Sequence, residues 1–114
     1  MGEAILKNIA LEEVLSLSDQ VRIMPGQIVS KTLVQNRQVS ITLFAFAGGE
    51  EISSHESDGD AMVCVLEGTG KFTVDGTDFT VNAGETLIMP AGKPHAVYGQ
   101  EAFKMMLTVV FPLS

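Results

Sequence analysis

The stretch GETLIMPAGKPH, residues 84–95, combines a turn, a short apolar run and a second turn that ends on a histidine. Gly84 permits an unusual backbone conformation at its start, and the run TLIM has the length of a strand. The following PAGKP is expected to reverse the chain, because proline presets φ and glycine tolerates φ > 0. His95 comes directly after this rigid turn, so its side chain is predicted to face a cavity.

The sequence on both sides of this stretch shows the period-2 alternation of short β-strands. Asp75-Gly76 lies between two alternating runs and predicts a tight hairpin, and Gln35-Asn36 predicts another. In residues 37–46, one face carries Val39, Ile41, Leu43 and Ala45, and the other carries Ser40, Thr42, Phe44 and Phe46. With about nine strands and only one or two helical turns, at residues 10–15, the pattern predicts an all-β antiparallel sandwich or barrel.

Size and composition predict one domain that associates with a second copy of itself. A chain of 114 residues has room for a single domain. Residues 1–20 are expected to form a strand or helical-turn segment packed on a barrel of residues 21–114. Apolar residues make up 46% of the chain and charged residues 18%, which is a high apolar share for a small monomer. A homodimer formed through a sheet face is therefore expected.

Charge and hydropathy exclude several classes of partner. The net charge of −7 disfavours nucleic acid and anionic membranes as partners, because both would repel the protein. No apolar run approaches the ~18 residues of a membrane-spanning helix, and the first residues lack a secretory signal pattern. Cys64 is the only cysteine and has no internal disulfide partner. A cytoplasmic protein is the expectation.

His55 and His95 are the two histidines of the chain. Neutral imidazole is a common ligand of zinc, iron, nickel and copper, so the two residues could form a metal pair. Equally, they could be unrelated residues at the surface or partly buried in the core. Their wide separation in sequence leaves both interpretations open.

Two spaced patterns in the chain resemble the paired motifs of the cupin superfamily, G-x5-H-x-H-x3–4-E-x6-G and G-x5-P-x-G-x2-H-x3-N. The first motif lies over Gly49, His55, Ser57, Ala61 and Gly68. The second lies over Gly84, Pro90, Gly92 and His95, with Gly99 at the place of its final asparagine. On this basis the chain resembles the small single-domain, conserved-barrel cupins.

The resemblance implies a jelly-roll (double-stranded β-helix) barrel with a site inside its mouth. Many cupins hold a divalent metal there with three histidines and one glutamate. His55 and His95 match the first and third histidines, whereas Ser57 stands at the second histidine and Ala61 at the glutamate. Two imidazoles and a hydroxyl would make a weak site, because no carboxylate neutralises the cation. The expectation is no metal, or a weakly held zinc, nickel, iron or manganese ion.

Three acidic residues near His55 are candidate substitutes for the missing carboxylate. Glu56 and Asp60 alternate away from the inward positions of a regular strand. A bulge at Gly59 could turn Asp58 or Asp60 inward. In the other interpretation these carboxylates form a solvated acidic rim.

The site residues leave three functions open. The first is a small-molecule-binding barrel without the full metal site, in which His55 and His95 are joined by pocket-lining residues. The pocket-lining candidates are Ser57, Ala61, Val63, Met89 and Val97. The second is a metal-dependent oxygenase, isomerase or lyase that acts on a small organic acid or sugar through His55 and His95. The third is a structural or partner-binding dimer.

Overall fold

The computed structural model describes residues 4–113, and these residues form an almost entirely β structure. The nine strands are β1 (Ile28–Gln35), β2 (Val39–Phe46), β3 (Glu51–His55), β4 (Asp60–Glu67), β5 (Thr69–Val74), β6 (Thr77–Asn82), β7 (Thr86–Met89), β8 (His95–Tyr98) and β9 (Phe103–Val110). A single 3₁₀ turn spans Leu17–Gln20, somewhat later than the predicted helical turn. Glu12 has a φ of 57°, which prevents a regular helix over residues 10–15. None of the helices in the described part is long and apolar enough to cross a membrane.

The strands form two antiparallel sheets that face each other. The five-stranded sheet has the order β1-β2-β9-β4-β7, and the four-stranded sheet has the order β3-β8-β5-β6. Short connections lead from β2 to β3, β4 to β5, β6 to β7 and β8 to β9, each crossing from one sheet to the other. This is the jelly-roll architecture, and it confirms the predicted all-β barrel. The same connections set β3 opposite β2 and β8 opposite β9.

Aromatic packing closes one end of the barrel. The rings of Phe46 and Phe103 stack with centroids 4.7 Å apart, and Phe72 meets Phe103 edge-on at 6.2 Å. The two sheets approach so closely here that a Cβ on Gly70 would lie 2.6 Å from the Phe103 ring. All three phenylalanines are fully buried. The phenylalanine cluster therefore fills this end of the barrel, which we call the closed end.

A second apolar cluster lies on the outer face of the five-stranded sheet. Leu33, Leu43 and Ala45 point outward from β1 and β2, and Val21 is buried against them. Ile9, Leu17 and Ile23 of the N-terminal segment also pack on this cluster. The segment is attached by hydrogen bonds from Lys7 N to Leu33 O (2.7 Å) and from Asn8 Nδ2 to Thr32 O (2.8 Å). The β1–β2 half of this outer face is therefore covered by the chain's own N-terminal segment.

Candidate functional site

The end of the barrel where β3 stops and β8 begins lies away from the phenylalanine cluster, and we call it the open end because His55 at its rim is exposed. In the five-stranded sheet, the starts of β2 and β4 and the ends of β7 and β9 lie at the same end. The register sets Met89, Ala61, Val109 and Ser40 in one row across the inner face of that sheet. The next row towards the closed end contains Leu87, Val63, Leu107, Thr42 and Thr32. The inner face thus changes from apolar at β7 and β4 to hydroxyl-bearing at β2 and β1.

A bulge in β3 brings the two histidines together. Ile52 pairs with Val97, so regular antiparallel pairing would set Ser54 opposite His95, but His55 occupies that place. One extra residue in β3 therefore turns His55 to the face that carries Ile52 and the barrel interior. The rings of His55 and His95 lie edge to face, with centroids 4.3 Å apart and an interplanar angle of 64°. His95 is buried, whereas His55 is exposed at the rim.

Backbone carbonyls orient both imidazoles. His55 Nδ1 lies 3.1 Å from Ser53 O, and His95 Nδ1 lies 3.3 Å from Lys93 O. A carbonyl oxygen can only accept a hydrogen bond, so Nδ1 carries the proton in each contact. In the neutral tautomer, Nε2 of each ring is then left as an acceptor. With both rings in the neutral form, the site presents two imidazole lone pairs.

Burial keeps His95 neutral near pH 7. Desolvation lowers the pKa of His95, and the nearby His55 lowers it further, whereas the hydrogen bond to the Lys93 carbonyl raises it; the result is a pKa below the usual value of 6.5. The neutral ring is thus the stable form in the folded protein.

This lowered pKa predicts acid destabilisation of the fold. Below a pH of about 6.5 the unfolded chain binds a proton at His95 that the folded chain resists, so stability falls as the pH falls through this window. Urea unfolding between pH 7.5 and 5.5 should show a decreasing free energy of unfolding. His95→Gln should lose this component of the pH dependence. A variant that keeps the wild-type pH dependence would show that His95 is not its source.

The two degenerate motif positions do not supply metal ligands. Ser57 Oγ accepts a hydrogen bond from Gly59 N (3.1 Å), and Ser57 O accepts one from Gly92 N (2.9 Å). Ser57 therefore joins the β3–β4 loop to the β7–β8 loop. Ala61 is buried opposite Met89 and offers only a methyl group. The hydrogen bonds of Ser57 and the packing of Ala61 therefore serve the local structure.

The nearby acids do not replace the missing carboxylate. Asp60 Oδ1 accepts a hydrogen bond from Ala91 N at 2.8 Å, which turns this side chain towards the β7–β8 turn. Asp58 is exposed and lines an outer cleft with Ala91 and Phe111. Across residues 4–113, no three His, Cys, Asp or Glu side chains are grouped so that they could hold a metal ion. The donor set therefore does not fit the four-ligand metal site of the family.

The predicted pocket residues lie beneath the histidines. Ala61, Val63, Met89 and Val97 are at most 4% exposed and belong to the apolar interior cluster. They form a buried floor. Several inward-facing residues are only partly buried, among them Phe44, Leu107 and Val109 and the hydroxyl-bearing Ser40 and Thr42. Ser40 and Thr42 lie on the half of β2 nearer the open end of the barrel.

Sequence reasoning missed this hydroxyl-bearing wall. It placed Ser40 and Thr42 on the same face as Phe44 and Phe46 but did not recognise them as site residues. The signal that could have identified them is the pairing of hydroxyls and aromatic rings on one face of a single strand. Because β2 lies opposite β3, this wall lies across the barrel from His55.

A separate cleft of about 280 Å³ lies on the outer face of the four-stranded sheet, lined in part by Lys71, Asp78 and Tyr98. Tyr98 alternates with the inward-facing Val97, so this cleft lies on the far side of the sheet from His95. Thr73 Oγ1 donates to Asp78 Oδ1 at 2.7 Å across the cleft. The cleft is therefore independent of the histidine pair.

Comparison with known proteins places the chain in a family. A family model described as "Cupin domain" matches residues 42–111. The structure is similar to that of a conserved protein of unknown function from Streptococcus pyogenes, with a TM-score of 0.97 and 43% identity over 100% of both chains. A cupin superfamily protein from Desulfitobacterium hafniense is 34% identical over 96% of this chain and 100% of that one, with a TM-score of 0.90.

A third similar structure is a cupin 2 conserved barrel domain protein from Leptotrichia buccalis. It is 43% identical over 84% of this chain and 47% of that chain, with a TM-score of 0.83. A comparison with curated proteins found no match. Because the cupin domain match spans more than half of the chain and these relatives share both its sequence and its fold, the chain belongs to the cupin superfamily, as a small single-domain barrel.

Proposed function

We propose that this cupin binds a small organic molecule at the open end of its barrel, without the four-ligand metal site of the family. The observation that supports the proposal is the arrangement of the residues at the four metal-ligand positions of the cupin motifs. His55 and His95 are brought together and oriented, whereas Ser57 and Ala61 are committed to local packing. The site therefore keeps its imidazoles and lacks the donors that would hold a cation tightly.

The residues present suit hydrogen bonding to a ligand over an apolar floor. Nε2 of each neutral imidazole can accept a hydrogen bond from a ligand O–H or N–H group. Met89, Ala61 and Val63 supply a dry surface beneath, and burial of apolar ligand atoms there contributes about 25 cal/mol per Å². Such a site combines an apolar lining with a few converging polar groups, as small-molecule sites commonly do.

The competing function is a metal-dependent oxygenase, isomerase or lyase, in which His55 and His95 share a metal with its substrate. Elemental analysis of protein purified without an affinity tag separates the two functions. We expect far less than one equivalent of metal per chain, before and after dialysis against Zn²⁺, Ni²⁺, Fe²⁺ or Mn²⁺. Stoichiometric metal that is lost in His55→Ala and His95→Ala would contradict the proposal.

Ligand binding itself is tested by NMR with isotope-labelled histidine. A fragment library should contain compounds that shift the imidazole signals of both His55 and His95. His95→Asn should abolish this binding, whereas Tyr98→Phe, on the outer face of the same strand, should leave it unchanged. A library that binds the wild type and His95→Asn equally would place the binding elsewhere on the molecule.

The predicted homodimer also remains a proposal, and an apolar area on the outer face supports it. Met62 and Ile88 are paired neighbours on β4 and β7 and are 37% and 53% exposed. The partly buried Cys64 and Thr108 continue this outer apolar patch over β4 and β9. The patch contains no charged side chain, so two copies of net charge −7 can meet there with little repulsion. The N-terminal segment covers β1, β2 and the Leu66 end of β4 but leaves Met62 and Ile88 exposed, and a second copy would cover these two residues.

Two acidic substitutions in the outer apolar patch are expected to dissociate this dimer. Met62→Glu combined with Ile88→Glu sets four carboxylates against each other across a two-fold interface. Light scattering after size-exclusion chromatography should change from twice the 12.2 kDa chain mass to the mass of one chain. Tyr98→Glu, an exposed residue on the other sheet, is the matched control and should remain dimeric. A wild-type protein that is monomeric at tens of micromolar would refute the dimer.

A further inference from the structure

We infer that the ligand of this site is an uncharged molecule that carries several hydroxyl groups, and that carboxylates and phosphates are excluded. The inference rests on the proposed binding function and names the chemical class that the site would accept. It depends on three properties of the open end: the absence of charged side chains pointing inward from its strands, its free hydroxyls, and the acceptor character of its imidazoles in their neutral form.

The first property is the uncharged lining. Among the described strand residues, no Lys, Arg, Asp or Glu points into the barrel. Around the open end the inward-facing side chains include the hydroxyl-bearing Ser40 and Thr42, the apolar Ala61 and Met89, and the imidazoles of His55 and His95. A carboxylate or phosphate bound against these strands would leave water without meeting a cation on them, which is unfavourable. An ammonium group would equally lack a carboxylate partner on the walls.

The second property is the availability of the hydroxyls. Within residues 4–113, Thr32, Ser40 and Thr42 take part in none of the side-chain hydrogen bonds. Among the described residues, every fully buried side-chain polar atom has a hydrogen-bond partner. Because these three hydroxyls have none, they are not fully buried and are reached by solvent. Each can donate one hydrogen bond and accept others. They are free to pair with a ligand.

The third property is the direction of hydrogen bonding at the histidines. Because each Nδ1 donates to a backbone carbonyl, Nε2 of the neutral ring can only accept. An ionised carboxylate or phosphate can also only accept, so it cannot pair with Nε2. A hydroxyl group can donate to Nε2 and can either donate to or accept from Thr42. Alcohol groups can therefore pair with both walls of the site, whereas an ionised carboxylate can pair with the hydroxyl wall only.

The test uses three six-carbon compounds that differ at one end only: glucitol (neutral), gluconate (anionic) and glucamine (cationic). Binding is followed at pH 7.5 through the imidazole signals of His55 and His95 and the methyl signal of Thr42. We expect glucitol to bind at least tenfold more tightly than gluconate, with glucamine weaker than glucitol. A second series, 1,6-hexanediol, adipate and 1,6-diaminohexane, repeats the comparison on a less polar chain and should rank in the same order.

Thr42→Val tests the hydroxyl wall with little change of volume. Loss of one neutral hydrogen bond, about 0.5–1.5 kcal/mol, corresponds to a two- to twelvefold weaker binding of the neutral compounds. Thr73→Val, on the outer face of the other sheet, is the control and should bind as the wild type does. Circular dichroism confirms that both variants are folded.

The outcomes distinguish an error in the ligand class from an error in the binding function. Tighter binding of gluconate or adipate, detected at His95, would overturn the ligand class and leave the binding function standing. Neutral compounds that shift no signal of His95 or Thr42 up to their solubility would overturn the ligand class. In that case the fragment screen and the metal analysis decide the binding function separately.

Discussion

Replacing Phe103 by alanine is expected to lower the free energy of unfolding by about 3–5 kcal/mol. Phe103 is fully buried, stacks on Phe46 and meets Phe72 edge-on, and it closes the barrel at the end away from the histidines. The substitution leaves a cavity between the two sheets and removes the contacts of Phe103 with the rings of Phe46 and Phe72. For a domain of this size the melting temperature should fall by about 4–8 °C per kcal/mol.

Phe79 provides the matched control for Phe103. It is an aromatic residue in a strand but is 39% exposed, so Phe79→Ala loses less packing and should cost well under half as much. Urea unfolding curves of the two variants, measured under the same conditions, give the comparison. Equal destabilisation by the two substitutions would show that the closed end is not the main source of stability.

Replacing Gly59 by alanine is expected to destabilise the fold by about 1–3 kcal/mol and to weaken ligand binding as well. A Cβ at this position would lie 2.6 Å from Val110 O and 2.8 Å from Val109 Cγ1. The β3–β4 loop would have to move away from β9. Gly59 N also donates to Ser57 Oγ, so the displacement would disturb the loop that follows His55. Thermal unfolding and the NMR signal of His55 should both report the change.

Gly48→Ala is the control, because it adds the same methyl group without a clash. A Cβ there would meet its nearest neighbour, Ala102 N, at 3.6 Å, which is an ordinary contact. We expect a change in stability below about 1 kcal/mol, which is typical of a surface substitution. Equal stability of Gly59→Ala and Gly48→Ala would contradict this prediction. It would show that the β3–β4 loop can move away from β9 at little cost, so that the contact of Gly59 with β9 does not constrain the site.

Much of the fold follows from local patterns. The Asp75-Gly76 loop joins β5 to β6 as predicted, and the turn at residues 90–94 delivers His95 to the first position of β8. These features could be predicted because two-residue loops and Gly-Pro turns depend on the backbone preferences of a few adjacent residues. The alternation along β2 was also correct. Phe46 is buried in the barrel interior, and Leu43 is buried on the outer face.

The candidate site could be predicted only in part. Motif spacing identified His55 and His95, but the four predicted apolar lining residues proved to be a buried floor, and Ser57 proved to be a loop constraint. The wall that carries Ser40 and Thr42 was not recognised. It joins the candidate site because β2 and β3 belong to different sheets of the jelly roll, and no local pattern in the sequence expresses that relation.

The amino-acid sequence by itself determined the strand pattern, the tight turns, the family and the loss of two motif ligands, because each of these depends on residue types at short spacings. Only the tertiary structure decided that His55 faces His95. A regular β3 would have set Ser54 there, and the extra residue of the bulge is visible only in the pairing with β8. The same holds for Asp60, whose carboxylate binds Ala91 N, 31 residues away. Long-range pairing sets side-chain direction at this end of the barrel, and side-chain direction sets what the site can bind.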